Sequence, residues 1–421
     1  MAPTREIVVT GVGVASPIGI GCEAFWQSLC DGRSGVRSLD LYDDAALPSP
    51  FGAAVTDFDP KQYVRPRKSL KVMSRDIQLA FLAADLACVE AGFREQPVDP
   101  EQLGIVFGAE MIPCNLPELI DAFRLCIVDG KFDFARWGQA AMAEMYPLWM
   151  LKYLPNMPAC HIGIAQDARG PNNSVILGDV SSLSAAAEAV RVIERGHADV
   201  MIVGGTGSRI SSTLWARNEV FEISRRAADP AAASRPFDAQ RDGMVNGEGA
   251  GAFIFESREH ADARGATVLA RVLGFGGAFE RCRNGRQPEG RAIRNAIGAA
   301  LRDADIQPSD VGHVNANGSG AVADDRIEAA AIRDTLADVP VTAPKSFFGH
   351  LGAGTGAVEM VASALSLQKG LIPPTLNYEH PDPECPVNVV HGRPIETDKP
   401  IAMMLNHTSF GQAAALVLAG R

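Results

Sequence analysis

The sequence lacks the features that place a chain in or across a membrane. No stretch approaches the roughly 20 consecutive apolar residues that a membrane-spanning helix needs. The start, MAPTREIVVTG, passes directly into a strand-like run, without the charged and apolar segments of a secretory signal. We therefore expect a cytoplasmic protein with no membrane span.

Cysteine spacing and net charge argue against a metal-binding protein and a nucleic-acid-binding protein. The 8 cysteines are scattered and form no CxxC pair, so we expect free thiols and no metal site. The formal net charge of −11 argues against a general nucleic-acid-binding protein. Glycine-rich GHLGAGTG lacks the lysine–serine ending of a phosphate-binding loop, and VTGVGVAS is not a dinucleotide fingerprint. No bound cofactor is expected.

Short β-branched runs alternate with alanine-rich stretches along the chain. The runs predict strands at Ile7–Thr10, Leu103–Phe107, Val200–Val203, Gly251–Phe255, Val268–Val272, His313–Ala316 and Ile401–Leu405. The alanine-rich stretches predict helices at Ile77–Ala91, Leu183–Arg195, Gly290–Asp303 and Ala357–Gln368. This alternation predicts an α/β fold with a largely parallel sheet that is covered on both faces.

Two of the predicted helices resemble each other. Leu183–Gly196 and Gly356–Gly370 both begin with small residues and end with a basic residue followed by glycine. Small residues around a helix suit close packing on its neighbours. The likeness indicates two duplicated halves, at residues 1–258 and 259–421, joined by the charged segment Glu256–Gly265. The stretch at about 110–157 has no clear period and is interpreted as an excursion from the sheet that covers a pocket or a partner.

Four segments resemble the β-ketoacyl-acyl-carrier-protein synthases, which belong to the thiolase superfamily. They are VVTGVGVASPIG (Val8–Gly19), PFDAQRDGMVNGEGAGAFIFE (Pro236–Glu256), KSFFGHLGAGTGAVE (Lys345–Glu359) and LNHTSFGQAAALVL (Leu405–Leu418). The resemblance spans nearly the whole chain. It implies the thiolase-like α/β fold, with five layers in the order α-β-α-β-α and two pseudo-duplicated halves.

The resemblance also locates the family's nucleophilic cysteine, which sits at a sharp strand-to-helix turn and which this chain lacks. ARGPNNSVILGD on one side and RVIERGHADVMIVGG on the other both place Asp179 at the cysteine. A carboxylate is a poor nucleophile toward a thioester, and its product would be a labile anhydride. The position is therefore disabled for ordinary acyl-enzyme chemistry.

Other positions of the family site are altered or retained. Asn317 stands at the first histidine, and the two threonines expected near a phosphopantetheine arm become Ser319 and Ala321. The pocket-gating phenylalanine becomes Thr408. The resemblance implies roles for residues that match the family: His350 and Lys345 at the site, Phe410 in substrate binding, and Asp325, Glu328 and Glu359 in structure.

Asp179 has two candidate roles. The first is helix capping, in which its oxygens accept from free N–H groups at the start of the following helix. The second is a general base that activates water against a bound thioester. The neighbouring Ser181 and Ser182 are not expected to inherit the cysteine's geometry, because each helical step rotates a side chain by about 100°. Packing is the favoured role of Cys160.

The partners follow from the resemblance and from one basic segment. YVRPRKSLKVMSR holds Arg65, Arg67, Lys68, Lys71 and Arg75, in a region that lies near the carrier-protein docking surface of the family. An acidic acyl carrier protein is therefore an expected partner, with its phosphopantetheine arm as the ligand. Family members are dimers, which implies a homodimer or a heterodimer with an active ketosynthase.

Three functions stay open at this point, and with them the question whether the chain is an enzyme. The first is a non-elongating subunit, like the chain-length factors of fatty-acid and polyketide-type biosynthesis, that shapes a partner ketosynthase's acyl tunnel. The second is a cysteine-independent malonyl-thioester decarboxylase or acyl-thioester hydrolase. The third is an acyl-binding homodimer without catalysis.

Overall fold

A computed structural model describes residues 5–40, 51–215, 222–281 and 288–421. The strands are β1 Ile7–Ser16, β2 Gly19–Ile20, β3 Val36–Ser38, β4 Phe51–Ala53, β5 Leu103–Gly108, β6 Ile127–Val128, β7 Lys131–Phe132, β8 Asn172–Val175, β9 Val200–Ser208, β10 Glu248–Ser257, β11 Ala270–Phe279, β12 His313–Asn315, β13 Pro340–Thr342, β14 Leu371–Ile372, β15 Asn388–Val389, β16 Ile395–Glu396, β17 Ile401–His407 and β18 Gln412–Ala419. The helices are α1 Cys22–Cys30, α2 Pro60–Tyr63, α3 Arg75–Glu90, α4 Ile120–Leu125, α5 Trp137–Glu144, α6 Met157–Ala165, α7 Ser181–Glu194, α8 Ser212–Trp215, α9 Arg258–Ala263, α10 Arg291–Asp303, α11 Val322–Leu336, α12 Lys345–Phe348 and α13 Thr355–Lys369. No α-helix within these ranges is long and apolar enough to cross a bilayer.

The two halves repeat one pattern of strand pairing. In the N-terminal half, β1–β10 and β10–β9 are antiparallel, whereas β9–β5 and β5–β8 are parallel. In the C-terminal half, β11–β18 and β18–β17 are antiparallel, whereas β17–β12 and β12–β13 are parallel. The half-sheets join where Ile7–Val9 pairs with Ala270–Val272. The expected duplication is confirmed.

Helices separate and cover the two half-sheets in five layers. Helices α3 and α6 cover the outer face of the N-terminal sheet, and α10 and α11 cover that of the C-terminal sheet. Helices α7 and α13 lie between the sheets and contact both. Glycine permits the close approach of α13: a Cβ at Gly251 on β10 would lie 2.6 Å from the carbonyl carbon of Ala357.

The prediction of a largely parallel sheet was wrong. The sheet is mixed rather than largely parallel, because the long central strands of each half pair antiparallel. Strands that are buried between helical layers are continuously apolar in either orientation, so the hydrophobic pattern does not distinguish the two. The four predicted helices and the seven predicted strands all overlap elements of the structure. The half boundary at 258/259 stays a prediction.

The segment predicted as a surface connection is anchored at its start. Glu256 is fully buried and accepts hydrogen bonds from Thr10, from His260 at 2.6 Å and from Arg264 at 2.9 Å. Only the part from Arg258 onward, in and after α9, reaches the surface. The start of the connection is therefore fixed to β1 rather than loose.

His313 is an unpaired titratable group in the C-terminal core. It is fully buried on β12, and neither ring nitrogen has a hydrogen-bond partner among the described residues. Burial lowers the pKa of His313 from 6.5 to about 4, because an imidazolium there would lose its hydration. Between these pH values the unfolded chain binds a proton that the folded chain does not, so stability falls as the pH falls through that window.

We expect His313→Leu to remove this acid-induced loss of folding stability, which amounts to roughly 3 kcal/mol between about pH 7 and about pH 4. Urea unfolding of wild type and variant at both pH values measures it. The raised pKa values of Asp325 and Glu359 act in both proteins, so the difference between the two pH dependences isolates His313. Equal pH dependence in the two proteins would contradict the assignment.

Candidate functional site

Asp179 stands in a sharp turn between a strand and a helix. It is the middle residue of the 3₁₀ turn Gly178–Val180, between the end of β8 and the start of α7. Gly178 has φ +60°, a left-handed conformation that favours glycine. This is the strand-to-helix turn that the resemblance predicted for the nucleophile position.

The Asp179 carboxylate is held by two side chains. Arg209 Nη2 lies 3.2 Å from Oδ1, and His350 Nε2 lies 3.3 Å from Oδ2. Burial alone would raise the pKa of Asp179, but His350, Arg209 and the more distant Lys345 outweigh it, and the net pKa lies well below its usual range. Asp179 is therefore a fixed anion at neutral pH.

This arrangement corrects the helix-capping hypothesis. No side-chain cap is found at α7 or at the turn before it, both of which lie in the described part of the chain. Ser181 Oγ instead accepts from Leu177 N at 2.9 Å and donates to Gly178 O at 2.6 Å. Ser182 Oγ donates to Ala353 O. As expected, neither serine replaces the missing nucleophile, because both hydroxyls serve the backbone.

His350 is fixed in one tautomer. Its Nδ1 accepts a hydrogen bond from Gly352 N at 3.1 Å, so the ring proton lies on Nε2 and faces Asp179. Burial, together with the positive charges of Arg209 and Lys345, lowers the pKa of His350, although Asp179 opposes this. A neutral imidazole therefore donates to the carboxylate.

The sequence alone did not reveal Glu110 and Arg209. The guanidinium lies between two carboxylates, with Nη2 3.2 Å from both Glu110 Oε2 and Asp179 Oδ1. Burial would lower the pKa of Arg209, but the two carboxylates raise it above its ordinary value. The three side chains follow β5, β8 and β9, which are adjacent parallel strands. Carboxyl ends of parallel strands meet at one edge, and this was the signal available in the sequence.

A second polar cluster adjoins the first. Lys345 Nζ lies 2.6 Å from Glu359 Oε1 and 3.1 Å from Asn317 Oδ1, and Asn406 Nδ2 donates to Glu359 Oε2 at 2.7 Å. All four residues are buried. Burial raises the pKa of Glu359 to about 7 against the opposing effect of Lys345. Asn406 was not singled out from the sequence, although it lies in the quoted LNHTSF segment.

The loop that carries Asn317 is fastened by buried carboxylates. Glu328 accepts from the N–H groups of Asn317 at 2.7 Å and Gly318 at 2.8 Å. Asp325 accepts from Gly320 N at 3.1 Å and from Ser319 Oγ at 3.4 Å. These contacts agree with the structural role expected for Asp325 and Glu328. The Ser319 hydroxyl serves the loop, and its role in substrate binding stays a prediction.

Two further predicted substrate-binding residues differ in exposure. Thr408 is buried beside the turn: a Cβ at Gly178 would lie 3.8 Å from Thr408 Cγ2. Phe410, two residues on, is 75% exposed. The structure thus brings Thr408 to the Asp179 turn and leaves the ring of Phe410 mostly in solvent.

The basic segment divides into an exposed part and a structural part. Arg65, Arg67, Lys68 and Lys71 are exposed, and none forms an ion pair within the described ranges. Arg75 was grouped with them but has another role, because it pairs with Glu248 at 2.9 Å and packs over the ring of Phe58. No group of three or more potential metal ligands is found among the residues that the structure describes.

The layered fold and the turn at Asp179 define a thiolase-like protein of the condensing-enzyme class. Residues 4–261 match the β-ketoacyl synthase N-terminal domain, and residues 269–379 match the C-terminal domain. The chain belongs to the β-ketoacyl synthase family.

Curated relatives match over nearly the full length. The tetracenomycin polyketide synthase ketoacyl synthase alpha subunit of Streptomyces glaucescens is 35% identical, over 92% of this chain and 90% of its own. The 3-oxoacyl-[acyl-carrier-protein] synthase 2 of Synechocystis is 32% identical, over 92% of both chains. The similarity therefore covers polyketide and fatty-acid synthases.

Solved structures support the same placement. The ishigamide ketosynthase/chain length factor superposes with a TM-score of 0.88 at 28% identity, over 99% of this chain and 100% of that one. A type II polyketide synthase acyl-carrier protein in complex with its ketosynthase bound to the hexaketide gives a TM-score of 0.84 at 27% identity, with the same coverage. The protein is similar to type II polyketide ketosynthases and chain length factors.

We expect Arg209→Met to destabilise the protein by about 3 kcal/mol, because it leaves Glu110 and Asp179 largely buried without their shared cation. Urea unfolding measures the change. The control is Arg191→Met, which removes a more exposed cation shared by Glu194 and Asp303 and should cost under about 1 kcal/mol. Adding Glu110→Gln to Arg209→Met should recover part of the loss. Equal costs for the two single variants would contradict the proposed charge balance.

Proposed function

We propose that the protein is a non-elongating, chain-length-factor-like subunit that completes the acyl tunnel of a cysteine-bearing ketosynthase. The observation that carries the proposal is the Asp179 carboxylate, fixed between Arg209 and His350 at the nucleophile position. Two further points support this role: the reactions that the anion disfavours, and the exposed surfaces that suit partner binding.

The anion removes condensation from this chain. A carboxylate whose pKa is lowered is a weak nucleophile toward a thioester, and it would form an anhydride rather than a thioester. His350 Nε2–H, the group available to polarise a carbonyl, is directed at Asp179. The Asn317 side-chain oxygen accepts from Lys345 and is itself fixed.

The same geometry disfavours the hydrolase and decarboxylase alternatives. A general base works best when its pKa is near the working pH, whereas the pKa of Asp179 is held far below it. Glu110 and Asp179 together carry one more charge than Arg209 neutralises, so the site disfavours the carboxylate of a malonyl group. We therefore rank these activities below the scaffold role.

An open sheet edge supports a second subunit. Strand β8 is the terminal strand of the large sheet and pairs only with β5 within the described residues. Ile176 and Leu177, directly after it, are 47% and 42% exposed. In the excursion, Met111, Phe134 and Met142 are 82%, 75% and 87% exposed. An unpaired edge beside apolar side chains is suited to strand addition from a partner.

The exposed basic residues support carrier-protein docking. Arg65, Arg67, Lys68 and Lys71 form a positive patch on a protein whose net charge is −11. We propose that an acidic acyl carrier protein docks there and that its phosphopantetheine arm is the ligand. The 7 cysteines in the described part of the chain are free, which fits the proposed cytoplasmic location.

Co-expression with a cysteine-bearing ketosynthase from the same genome tests the proposal. We expect a stable one-to-one complex, in which Ile176→Asp lowers the co-purified yield at least about tenfold, because a charge enters an apolar interface. The control is Val89→Asp, a residue 40% exposed on the outer helix α3. The proposal would be contradicted if the ketosynthase made a product of the same length with and without this chain.

We expect Asp179→Cys alone to leave condensation undetectable, because Asn317 still replaces the first histidine and the Glu110–Arg209 pair remains beside the new thiol. Intact-protein mass spectrometry with an acyl carrier protein, together with product chromatography, measures acylation and elongation separately. The wild type serves as the unacylated control. Elongation by this single variant, or a covalent acyl adduct on wild type during turnover, would refute the inactive site.

A further inference from the structure

A cavity of about 500 Å³ lies beside the Asp179 site but opens on the other side of the β9 end. Ser208 and Ile210 line it, while Arg209, between them in an extended segment, contacts Asp179 instead. Neighbouring side chains of an extended chain point to opposite sides, so the two regions are distinct. The start of α3 and both ends of the excursion supply most of the remaining wall.

Two charged pairs in the cavity wall are already satisfied. Glu248 pairs with Arg75 at 2.9 Å and accepts from Ser208 Oγ at 3.0 Å. Across the cavity, Glu118 accepts from Lys152 at 2.6 Å and from Tyr153 at 2.8 Å. These contacts hold the walls together. The other charged residues of the lining are Asp40, which is exposed to solvent, and Asp76.

Asp76 is different. It lines the cavity and is only 5% exposed, yet no cation of the described residues lies within ion-pair distance of its carboxyl group. Its hydrogen bonds come from two backbone N–H groups, its own and that of Ser208. Nearby, the buried Ser74 Oγ also lines the cavity and has no hydrogen-bond partner in the described chain. A buried carboxyl without a counter-ion and a hydroxyl without a partner therefore face the same space.

We propose that this cavity binds a small organic cation, a primary amine on a short alkyl chain. The ammonium group pairs with Asp76 and donates to Ser74 Oγ, and the methylene groups pack against Ile112, Ile210 and Met73, which also line the cavity. The inference does not depend on the scaffold role, because none of these residues contacts Asp179.

The proposal also predicts how the affinity for the cation changes with pH. Burial and the nearby carboxylates of Glu110 and Glu248 raise the pKa of Asp76 to about 7, against its backbone hydrogen bonds. Arg75, the adjacent cation, is engaged by Glu248. An ammonium ligand requires ionised Asp76, so its affinity should rise about tenfold between about pH 6 and about pH 8.

Isothermal titration of the full chain with 1,5-diaminopentane at these two pH values is the test. This diamine stays protonated throughout, and 1,5-pentanediol is its neutral counterpart of equal length. We expect binding of the diamine only, tightest at the higher pH. Asp76→Asn should abolish it, and Ser74→Ala should weaken it several-fold. Asp57→Asn, which removes an exposed carboxylate outside the cavity lining, should leave it unchanged.

Three results would overturn the proposal: no binding of the diamine, equal binding by Asp76→Asn, or affinity that rises as the pH falls. The last would show that the ammonium group does not bind to ionised Asp76. Thermal unfolding of each variant confirms that the fold is retained. Because no ketosynthase is present in this experiment, its failure leaves the heterodimer proposal standing, and the reverse also holds.

Discussion

The ion pair between Asp179 and Arg209, completed by the hydrogen bond from His350, sets the character of the site. It places a permanent carboxylate where the family carries its nucleophilic cysteine. Arg209 is shared with Glu110, so removal of the arginine would leave two carboxylates without their cation. Such a group of coupled, largely buried charges is costly to alter one member at a time.

Retained family residues here also hold the fold together. Lys345 and Glu359 form a fully buried pair, and Glu328 fastens the loop at Asn317. Removing one partner would leave a desolvated charge, whatever reaction the site performs or lacks. Their presence in a sequence therefore indicates the architecture. The reaction depends on the few positions, such as 179 and 317, where the reacting groups would stand.

Much of the fold could be predicted from the sequence, and the contacts at the site only in part. Alanine-rich stretches located α7 and α13, and the strand-to-helix turn at Asp179 followed from the resemblance of the flanking motifs. The antiparallel pairing of β1, β10 and β9 could not be predicted from the sequence, because buried strands are apolar whether they pair parallel or antiparallel. Glu110 and Arg209 were missed because Arg209 lies 99 residues from Glu110 and 30 residues from Asp179 in the sequence. The three side chains meet only when β5, β8 and β9 align. The capping prediction for Asp179 was wrong for the same reason. It considered only the neighbouring sequence, whereas the partner, Arg209, follows another strand.

The junction of the two half-sheets has a consequence for the integrity of the chain. Among the described residues, the half-sheets are joined through strand pairing only where Ile7–Val9 meets Ala270–Val272. One apolar core nevertheless contains Leu183 and Phe253 from the first half with Val358 and Leu416 from the second. Each half thus supplies a wall for the other's central helix. The two halves are therefore interdependent: cleavage near residue 258 would leave each fragment with an exposed apolar face rather than yield two autonomous domains.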